Sequence, residues 1–215
     1  MQLALLLAAA YLIGSIPFAV VVSRLFGMAD PRTYGSGNPG ATNVLRSGNK
    51  LAAILTLVGD GLKGWLAVFL AEQIAPAAGL GQIAVPAAAL AAFLGHLFPV
   101  FLGFRGGKGA ATLVGGLLLL FPAAVLILVA VWCLCLSLTG YVGLSTVLAG
   151  FSLLAFALIS DAPMPILIFS ALAAFLMLFT HRANMQRLLQ KNEYRFDKIM
   201  LWRRAWRALS GSRRD

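Results

Sequence analysis

The stretch that decides the fold runs from residue 95 to residue 112 and reads Gly95-His-Leu-Phe-Pro-Val-Phe-Leu-Gly-Phe-Arg-Gly-Gly-Lys-Gly-Ala-Ala-Thr112. It begins in an apolar segment and ends in a glycine-rich loop that carries Arg105 and Lys108, the only cations between Lys63 and Arg182. Because glycine reaches backbone conformations that other residues avoid, such a loop can bring N–H groups to an anion. The alternative is a flexible connection between membrane helices whose charges set the topology.

The composition around this stretch is that of a membrane protein. The 215 residues are 60% hydrophobic and 11% charged, whereas roughly a quarter of the residues in soluble domains are charged. We therefore expect one integral membrane domain over residues 1–215. Ten of the 17 cations lie between Arg182 and Arg214, which marks a cytoplasmic segment and argues against nucleic acid as a partner. The basic tail, 185–215, is predicted to lie on the inner leaflet.

The hydrophobic runs predict an all-α polytopic protein. Apolar segments at 3–23, 51–74, 82–104, 144–160 and 163–180 can each cross a bilayer. Counting the run 112–139 as one span would put the basic tail outside, whereas a break near Pro122 keeps it inside. The sequence thus predicts about seven transmembrane helices, with the N-terminus outside and the C-terminus inside. Five is the alternative, if some apolar stretches only dip into the membrane.

A long polar loop, 27–50, follows the first span and contains Gly35-Ser-Gly-Asn-Pro-Gly-Ala-Thr-Asn43. Its glycines match the G-x-G-x-x-G dinucleotide fingerprint, but that motif needs a preceding strand, and here a membrane helix precedes it. The dinucleotide interpretation is therefore excluded. The loop still offers backbone donors, the hydroxyls of Ser36 and Thr42, and the cation of Arg46.

Isolated polar side chains in the apolar segments have two interpretations each. Lys63 follows Asp60 by three residues, so the two either pair with each other or serve a polar site. His96 is either a hydrogen-bonded packing residue or a site residue. His181 and Asn184 are three apart, so one helical face presents both. The spacing of His, Cys and carboxylate residues suggests no metal site.

Concentration of the polar residues on one predicted face suits the binding of phosphate groups. A Walker A loop is excluded, because it would need glycine at Leu102 and Ser or Thr at Gly109. CDP-alcohol phosphotransferases are similar in size, but their aspartate-rich signature is missing. A transporter or anion channel could also use inner-face cations and glycine-rich breaks, but its polar groups should reach in from both faces. A structural anchor would leave the glycine-rich loops unexplained.

Three stretches resemble the signature blocks of the bacterial acyl-phosphate:glycerol-3-phosphate acyltransferases, the PlsY family. They are Gly35–Asn43, Gly95–Thr112 and His181-Arg-Ala-Asn184, in the family's order and at its spacing. The third block usually reads His-x-Glu-Asn, and Ala183 stands where Glu is expected. Residue 183 therefore cannot supply a supporting hydrogen bond through its side chain.

The resemblance implies transfer of a fatty acyl group from acyl phosphate to the 1-hydroxyl of sn-glycerol 3-phosphate. The products would be 1-acyl-glycerol 3-phosphate (lysophosphatidic acid) and phosphate, in the first acylation step of bacterial phospholipid synthesis. It implies a multi-pass protein of the cell inner membrane with its active site facing the cytoplasm, no metal or other cofactor, and the lipid bilayer as its partner. The oligomeric state stays open, with a monomer as one option.

Site residues carried over by the resemblance fall into two groups. Those expected to take part in catalysis, and to converge at the inner membrane face, are Ser36, Arg46, Lys108, His181 and Asn184. Those expected to bind substrate are Gly37, Asn38, Thr42, Asn43, Lys63, His96, Gly103, Arg105, Gly106, Gly107, Gly109 and Ser145.

The chemistry suggests a role for most of these groups. The central glycines and Lys108 would bind one phosphate, while Ser36, Thr42 and Arg46 would hold the other or orient the acceptor. His181 would serve as general base or as an orienting donor, with Asn184 as a hydrogen-bond partner. A substrate phosphate could also accept the hydroxyl proton.

Overall fold

A computed structural model describes residues 1–196 and Met200, and across these residues it contains helices and no strand. This confirms the predicted all-α class. The helices are α1 (Gln2–Gly14), α2 (Phe18–Leu25), α3 (Ala41–Leu45), α4 (Lys50–Ala77), α5 (Ala84–Leu97), a 3-10 turn (Val100–Leu102), α6 (Ala110–Leu120), α7 (Pro122–Thr139), α8 (Val142–Ile159), α9 (Met164–Thr180) and α10 (Arg182–Leu189).

Within the described residues, five helical segments are long and apolar enough to cross a membrane: Gln2–Leu25, Lys50–Ala77, Ala84–Leu102, Pro122–Thr139 and Val142–Ile159. The pair α9 and α10, bent by 53°, adds a sixth if the two helices are counted as one span. Helix α6 is shorter, and α7 begins at Pro122 directly after it, so the predicted break is present. The first span is also interrupted, because Pro17 separates α1 from α2. The count of seven and the orientation of the termini stay predictions.

By its internal contacts the chain divides into two compact units, Met1–Pro122 and Ala123–Asp215. The prediction of a single domain is not tested by this division. Within the predicted tail, residues up to 196 and Met200 are described. The rest of that tail, 197–199 and 201–215, lies outside the described residues, so its predicted place on the inner leaflet stays a prediction.

Small residues bring the helices of the first unit close together, as is typical of membrane helix packing. Helices α1, α4 and α5 meet along a cluster of buried residues that is mostly alanine. Where α1 crosses α5, a Cβ on Gly14 would overlap the carbonyl of Ala92, and one on Gly95 would overlap that of Tyr11. The Tyr11 hydroxyl donates to the Phe98 carbonyl at 2.6 Å across the same contact. This packing places the end of α5, and with it His96, against the interrupted first span.

The contact between α4 and α6 provides a matched test of this packing. A Cβ on Gly64 would overlap the carbonyl oxygen of Thr112, whereas one on Gly61 would have its nearest neighbour, the Ala111 oxygen, 3.8 Å away. We expect Gly64→Ala to lower the free energy of unfolding by about 2 kcal/mol, because the backbones must separate. Gly61→Ala should be neutral or slightly stabilising, since alanine favours helix. Unfolding in mixed detergent micelles measures both, and equal effects would contradict the packing described here.

The second unit is also held together by close helix packing at a glycine and by a hydrogen bond between helices. Helix α8 packs on α9, where the side chain of Met177 lies against Gly150. Trp132 of α7 donates its indole N–H to the Thr146 hydroxyl of α8 at 3.1 Å. At the end of α9 the chain bends at His181 into α10, which contacts the start of α8. The predicted residues His181, Asn184 and Ser145 therefore lie at one end of this unit.

Candidate functional site

The first glycine-rich loop is organised by one buried amide, that of Asn43, which is 1% exposed. Its Oδ1 accepts hydrogen bonds from the Ser36 backbone N–H at 2.9 Å and the Ser36 hydroxyl at 3.1 Å. Its Nδ2 donates to the carbonyls of Pro31 at 2.6 Å and Tyr34 at 3.1 Å. An amide offers two acceptor and two donor positions, so Asn43 is saturated within the protein. It holds Ser36 in place, and a direct bond from Asn43 to substrate would require breaking one of these.

An ion pair braces the same loop beside Pro31. The Arg32 guanidinium contacts the Asp30 carboxylate, with its nearest oxygen at 2.6 Å. The hydrogen bond from Arg32 holds the pKa of Asp30 below its ordinary value. The pair is therefore charged on both sides at neutral pH, and the Pro31 carbonyl that Asn43 contacts lies between its two members.

Replacing Asn43 by alanine should remove the hydrogen bonds that hold the first glycine-rich loop in its conformation. We expect kcat/KM to fall by about tenfold or more, because four hydrogen bonds are lost and Ser36 is no longer held. Asn43→Asp is the sharper variant: it keeps an acceptor for Ser36 but places an oxygen against two carbonyls, so it should also be impaired. Thr42→Ala removes the neighbouring exposed hydroxyl and leaves these bonds intact. An Asn43→Ala variant as active as wild type would contradict the assigned role.

Other predicted residues of this loop are exposed or partly exposed. Ser36, Gly37, Thr42 and Arg46 are on the surface, and Asn38 is half-buried. The Arg46 side chain lies near Gly35, where an added Cβ would be 3.5 Å from Arg46 Cδ. A Cβ at Gly35 would also overlap the Asn43 oxygen. The structure thus brings together two of the predicted catalytic residues, Ser36 and Arg46.

The central loop uses its glycines differently from the sequence-based expectation. The backbone N–H groups of Gly106 and Gly107 donate to the carbonyls of Leu97 and His96, both at 3.1 Å. A Cβ on Gly106 would overlap the His96 carbonyl, and one on Gly107 would overlap the His96 ring at Nε2. These two amides therefore cap the end of α5 and let the loop approach His96. Substrate binding by Gly106 and Gly107 stays a prediction. Their backbone N–H groups do not support it, because both already donate to carbonyls of α5.

The remaining residues of this loop lie around the start of α6. Gly109 has a left-handed backbone, with φ of 81°, and a Cβ there would overlap the Phe93 ring. Arg105 and Gly103 are exposed, and Lys108 is half-buried. Helix α6 begins at Ala110, and the first amides of a helix have no partner within it. Available backbone donors are thus expected at the beginning of α6, directly after Lys108.

Beneath the central loop lies a buried charged network. Lys63 Nζ contacts Asp60 Oδ1 at 2.8 Å and donates to the Ile16 carbonyl at 2.9 Å. His96 Nδ1 lies 3.4 Å from the same Asp60 oxygen and 3.2 Å from the Thr112 hydroxyl. Asp60 and Lys63 are each 3% exposed. Of the two interpretations of Lys63 and His96, this geometry favours the structural one, since Lys63 Nζ and His96 Nδ1 have protein partners.

A small cavity next to this network shows how the first two blocks meet. Pro39 of the first loop and Gly106 and Gly107 of the central loop line it, together with Lys63 and His96. Its volume is about 10 Å³, roughly the room that a single water molecule needs. The glycerol 3-phosphate that the resemblance implies as substrate is far larger, so the space inside this network could not hold it as it stands.

In the second unit His181 has a defined tautomer. Its Nδ1 lies 2.9 Å from the Met177 carbonyl, which can only accept a hydrogen bond, so Nδ1 carries the proton. In the neutral ring Nε2 then has the lone pair, and it is the atom that could take a proton from a hydroxyl group. This geometry is compatible with either of the roles expected for His181, and it places the reactive nitrogen on the far side of the ring from Met177.

Asn184 and Ser145 lie close to the start of α8. Asn184 is buried, and Gly143 packs directly against its Cβ and amide, where a Cβ would meet atoms at 2.8 and 2.9 Å. Asn184 Nδ2 donates to Glu193 Oε1 at 2.6 Å. The Ser145 hydroxyl donates to the Tyr141 carbonyl at 2.8 Å, which leaves its oxygen lone pairs as acceptors. Substrate contacts of Ser145 stay a prediction.

Sequence reasoning missed two members of these clusters, Thr112 and Glu193. Thr112 contacts His96 across 16 residues, and Glu193 contacts Asn184 across nine. Neither separation has a helical period that would signal the pairing. Among residues 1–196 and Met200, no group of three or more His, Cys, Asp or Glu residues lies close enough to hold a metal ion.

Comparisons with a family model and with individual relatives all indicate the same protein family. The sequence model of the glycerol-3-phosphate acyltransferase family matches residues 4–191. The glycerol-3-phosphate acyltransferase of Bordetella petrii is 51% identical over 89% of this chain and 92% of its own length. That of Cupriavidus pinatubonensis is 50% identical over 87% of this chain and 93% of its own.

Two crystal structures of PlsY, an integral membrane glycerol 3-phosphate acyltransferase, are similar in fold. The glycerol 3-phosphate form has a TM-score of 0.85 at 35% identity, covering 93% of this chain and 98% of that one. The lysophosphatidic acid form has a TM-score of 0.83 at 35% identity, covering 91% and 96%. The chain therefore belongs to the glycerol-3-phosphate acyltransferase family, as an integral membrane acyltransferase of the PlsY type.

Proposed function

We propose that this protein transfers a fatty acyl group from acyl phosphate to the 1-hydroxyl of sn-glycerol 3-phosphate. The products are 1-acyl-glycerol 3-phosphate (lysophosphatidic acid) and inorganic phosphate. The observation that carries the proposal is the likeness, over nearly the whole chain, to PlsY structures described as glycerol 3-phosphate and lysophosphatidic acid forms. The acyl phosphate donor is inferred from the three sequence blocks.

The reaction needs two phosphate-binding regions, and the first unit offers two. Ser36 and Arg46 lie together on the surface of the first loop and would hold the phosphate of glycerol 3-phosphate, since a guanidinium and a hydroxyl suit its oxygens. Lys108 and Arg105, with the amides at the start of α6, would hold the phosphate of the donor. Asn43, which is saturated, contributes by fixing Ser36.

In the chemical step the acceptor oxygen attacks the carbonyl carbon of the acyl phosphate, and the bond from that carbon to the phosphate oxygen breaks. The electron pair leaves with phosphate, so cations near the tetrahedral oxyanion and the departing group lower the barrier. The hydroxyl proton passes to His181 Nε2 or to a phosphate oxygen, both of which can accept it. Because phosphate is already a good leaving group, alignment of the hydroxyl supplies much of the remaining rate.

We further propose that the site faces the cytoplasm from the inner membrane of the bacterial cell. The basic residues that follow α9 support this orientation, since cations beside membrane helices mark the cytoplasmic side. Glycerol 3-phosphate is soluble and would arrive from that side, while the acyl chain would arrive within the bilayer.

The direct test is phosphate release by the purified protein in detergent, with palmitoyl phosphate and glycerol 3-phosphate, without added metal and with a chelator present. We expect equal amounts of phosphate and lysophosphatidic acid, and no acyl product when glycerol 3-phosphate is omitted. A well-folded wild type that forms no product with donors of several chain lengths would refute the proposed function. The alternative from the sequence, a transporter or anion channel, would then be examined by flux into proteoliposomes.

A further inference from the structure

A groove of about 300 Å³ runs between α1 and α4 on the surface of the first unit. Residues on one face of α1, within 2–13, form one side of it, and residues of α4 and its end, within 67–78, form the other. Nine of the ten described residues that line it are apolar, and the exception is Gln2 at one end. The walls are exposed, as Leu5 is to 64%, while Ala67 in the floor is 1% exposed. This α1–α4 groove is therefore open at the surface and closed beneath.

The α1–α4 groove extends away from the candidate site. Lys63 of α4 donates to the carbonyl of Ile16, just after α1, at 2.9 Å, so the two helices meet there at the buried charged network. From this contact the lining residues run back along α1 to Gln2 and forward along α4 to Ala78. The first glycine-rich loop lies at the other end of α4, before Lys50. Because both helices belong to membrane spans, the groove faces the half of the bilayer opposite to that loop.

The dimensions of the groove match one lipid acyl chain. On each helix its ends are 11 positions apart, which is about 16 Å at a rise of about 1.5 Å per residue. That length is close to half of the roughly 30 Å hydrocarbon core, the depth of one leaflet. An apolar cavity of roughly 150 Å³ binds benzene, so a groove of about 300 Å³ has room for about a dozen carbon atoms. Length and volume thus both suit a single alkyl chain.

Other occupants fit the groove less well. A helix of a second copy, with a diameter of about 10 Å or more including its side chains, is too wide for a space of this volume. Water is disfavoured, since a buried water molecule needs several polar partners and Gln2 is the one polar residue among those that line the groove. An acyl phosphate would carry its phosphate to Lys108, at the other end of the first unit. Empty space is also unfavourable, because the lining atoms would lose van der Waals contacts.

We propose that the α1–α4 groove binds one acyl chain of a membrane phospholipid, from the leaflet opposite to the candidate site. The chain packs against the branched side chains of both helices, and the Gln2 amide donates to an ester or phosphate oxygen of the same lipid. A bound chain adds van der Waals contacts between α1 and α4 where small residues leave space, and such contacts drive packing within a membrane. This lipid site is separate from acyl transfer and does not depend on the proposed function.

The test is photolabelling of the purified full chain in detergent with a phosphatidylglycerol that carries a diazirine in the middle of one acyl chain. We expect mass spectrometry of peptides to find the label in α1 and in the second half of α4, and excess unlabelled phosphatidylglycerol to suppress it. Ala9→Phe, which fills the groove, should lower the labelling by about fivefold or more, because the ring takes the space of the chain. Ala8→Phe is the matched control, since Ala8 is also exposed but does not line the groove. Its labelling should stay within about twofold of wild type.

Ile74→Trp fills the same groove from α4 and takes the place of Ala9→Phe if that variant does not fold. Equal labelling of Ala9→Phe and Ala8→Phe, or labelling that unlabelled phosphatidylglycerol does not suppress, would overturn the inference. Suppression by palmitoyl phosphate and not by phosphatidylglycerol would also overturn it, because the groove would then belong to the acyl donor. Acyl transfer is measured separately on the same preparation, so a protein that is inactive but labelled as expected loses the proposed function and keeps this lipid site.

Discussion

Lys108→Ala is expected to lower kcat/KM for acyl transfer by about a hundredfold or more, the range typical for loss of one group that stabilises charge developing in a transition state. Lys108 lies in the central glycine-rich loop, directly before Gly109 and the start of α6. Its ammonium group would face the departing phosphate together with the first amides of that helix. Phosphate release from palmitoyl phosphate, with and without glycerol 3-phosphate, measures the effect.

Two further variants separate charge from geometry. Lys108→Arg keeps the positive charge but replaces a compact ammonium group by a planar fork, so we expect an intermediate loss. Lys50→Ala removes an exposed cation at the start of α4 and should retain most of the wild-type activity. If Lys108→Ala were folded and as active as Lys50→Ala, Lys108 would be a surface charge and the donor phosphate would have to bind elsewhere.

Asp60→Asn is expected to destabilise the protein by about 3 to 5 kcal/mol, the cost typical of removing one partner of a buried ion pair. Asp60 lies in the middle of α4, where a charge in a membrane span needs a compensating partner. The substitution keeps the shape of the side chain but removes the negative charge that compensates Lys63, which still donates to the Ile16 carbonyl. The free energy of unfolding in mixed detergent micelles measures the loss.

Removing Lys63, the other partner of the ion pair, should lower the free energy of unfolding by less than Asp60→Asn does. In Lys63→Met the Asp60 carboxylate keeps a neighbouring polar group, because it still lies 3.4 Å from His96 Nδ1. The double variant Asp60→Asn/Lys63→Met removes both charges and should recover part of the stability lost in Asp60→Asn. A double variant less stable than Asp60→Asn would show that the network is held together by more than this one charge pair.

Much of the architecture could be predicted from hydrophobic runs and breaks, because crossing a membrane demands long apolar helices. The break near Pro122 was predicted from the side of the membrane on which the basic tail should lie, and proline, which lacks a backbone N–H, begins a new helix there. An ion pair between Asp60 and Lys63 was one of two interpretations of their i, i+3 spacing, and the structure contains this ion pair.

The site was less predictable, because its decisive contacts join residues far apart in the chain. The sequence suggested that Gly106 and Gly107 bind phosphate through their amides, but the structure engages those amides with the end of α5. The expected contact of Asn43 with substrate stays a prediction, while its amide makes four hydrogen bonds within the protein that the sequence did not predict. A glycine-rich motif indicates where backbones approach closely, but not whether the neighbour is a ligand or another helix.

The sequence by itself determined the fold class, the membrane location and the family, since these depend on composition, on helix-long periodicity and on contiguous blocks of residues. Only the tertiary structure decided which polar groups are already satisfied within the protein. It joined His96 to Thr112 and Asn184 to Glu193, and no local pattern predicts either contact. Hydrogen bonds and ion pairs form between atoms a few ångströms apart, and in a helical membrane protein that proximity is created by packing between helices and not by separation along the chain.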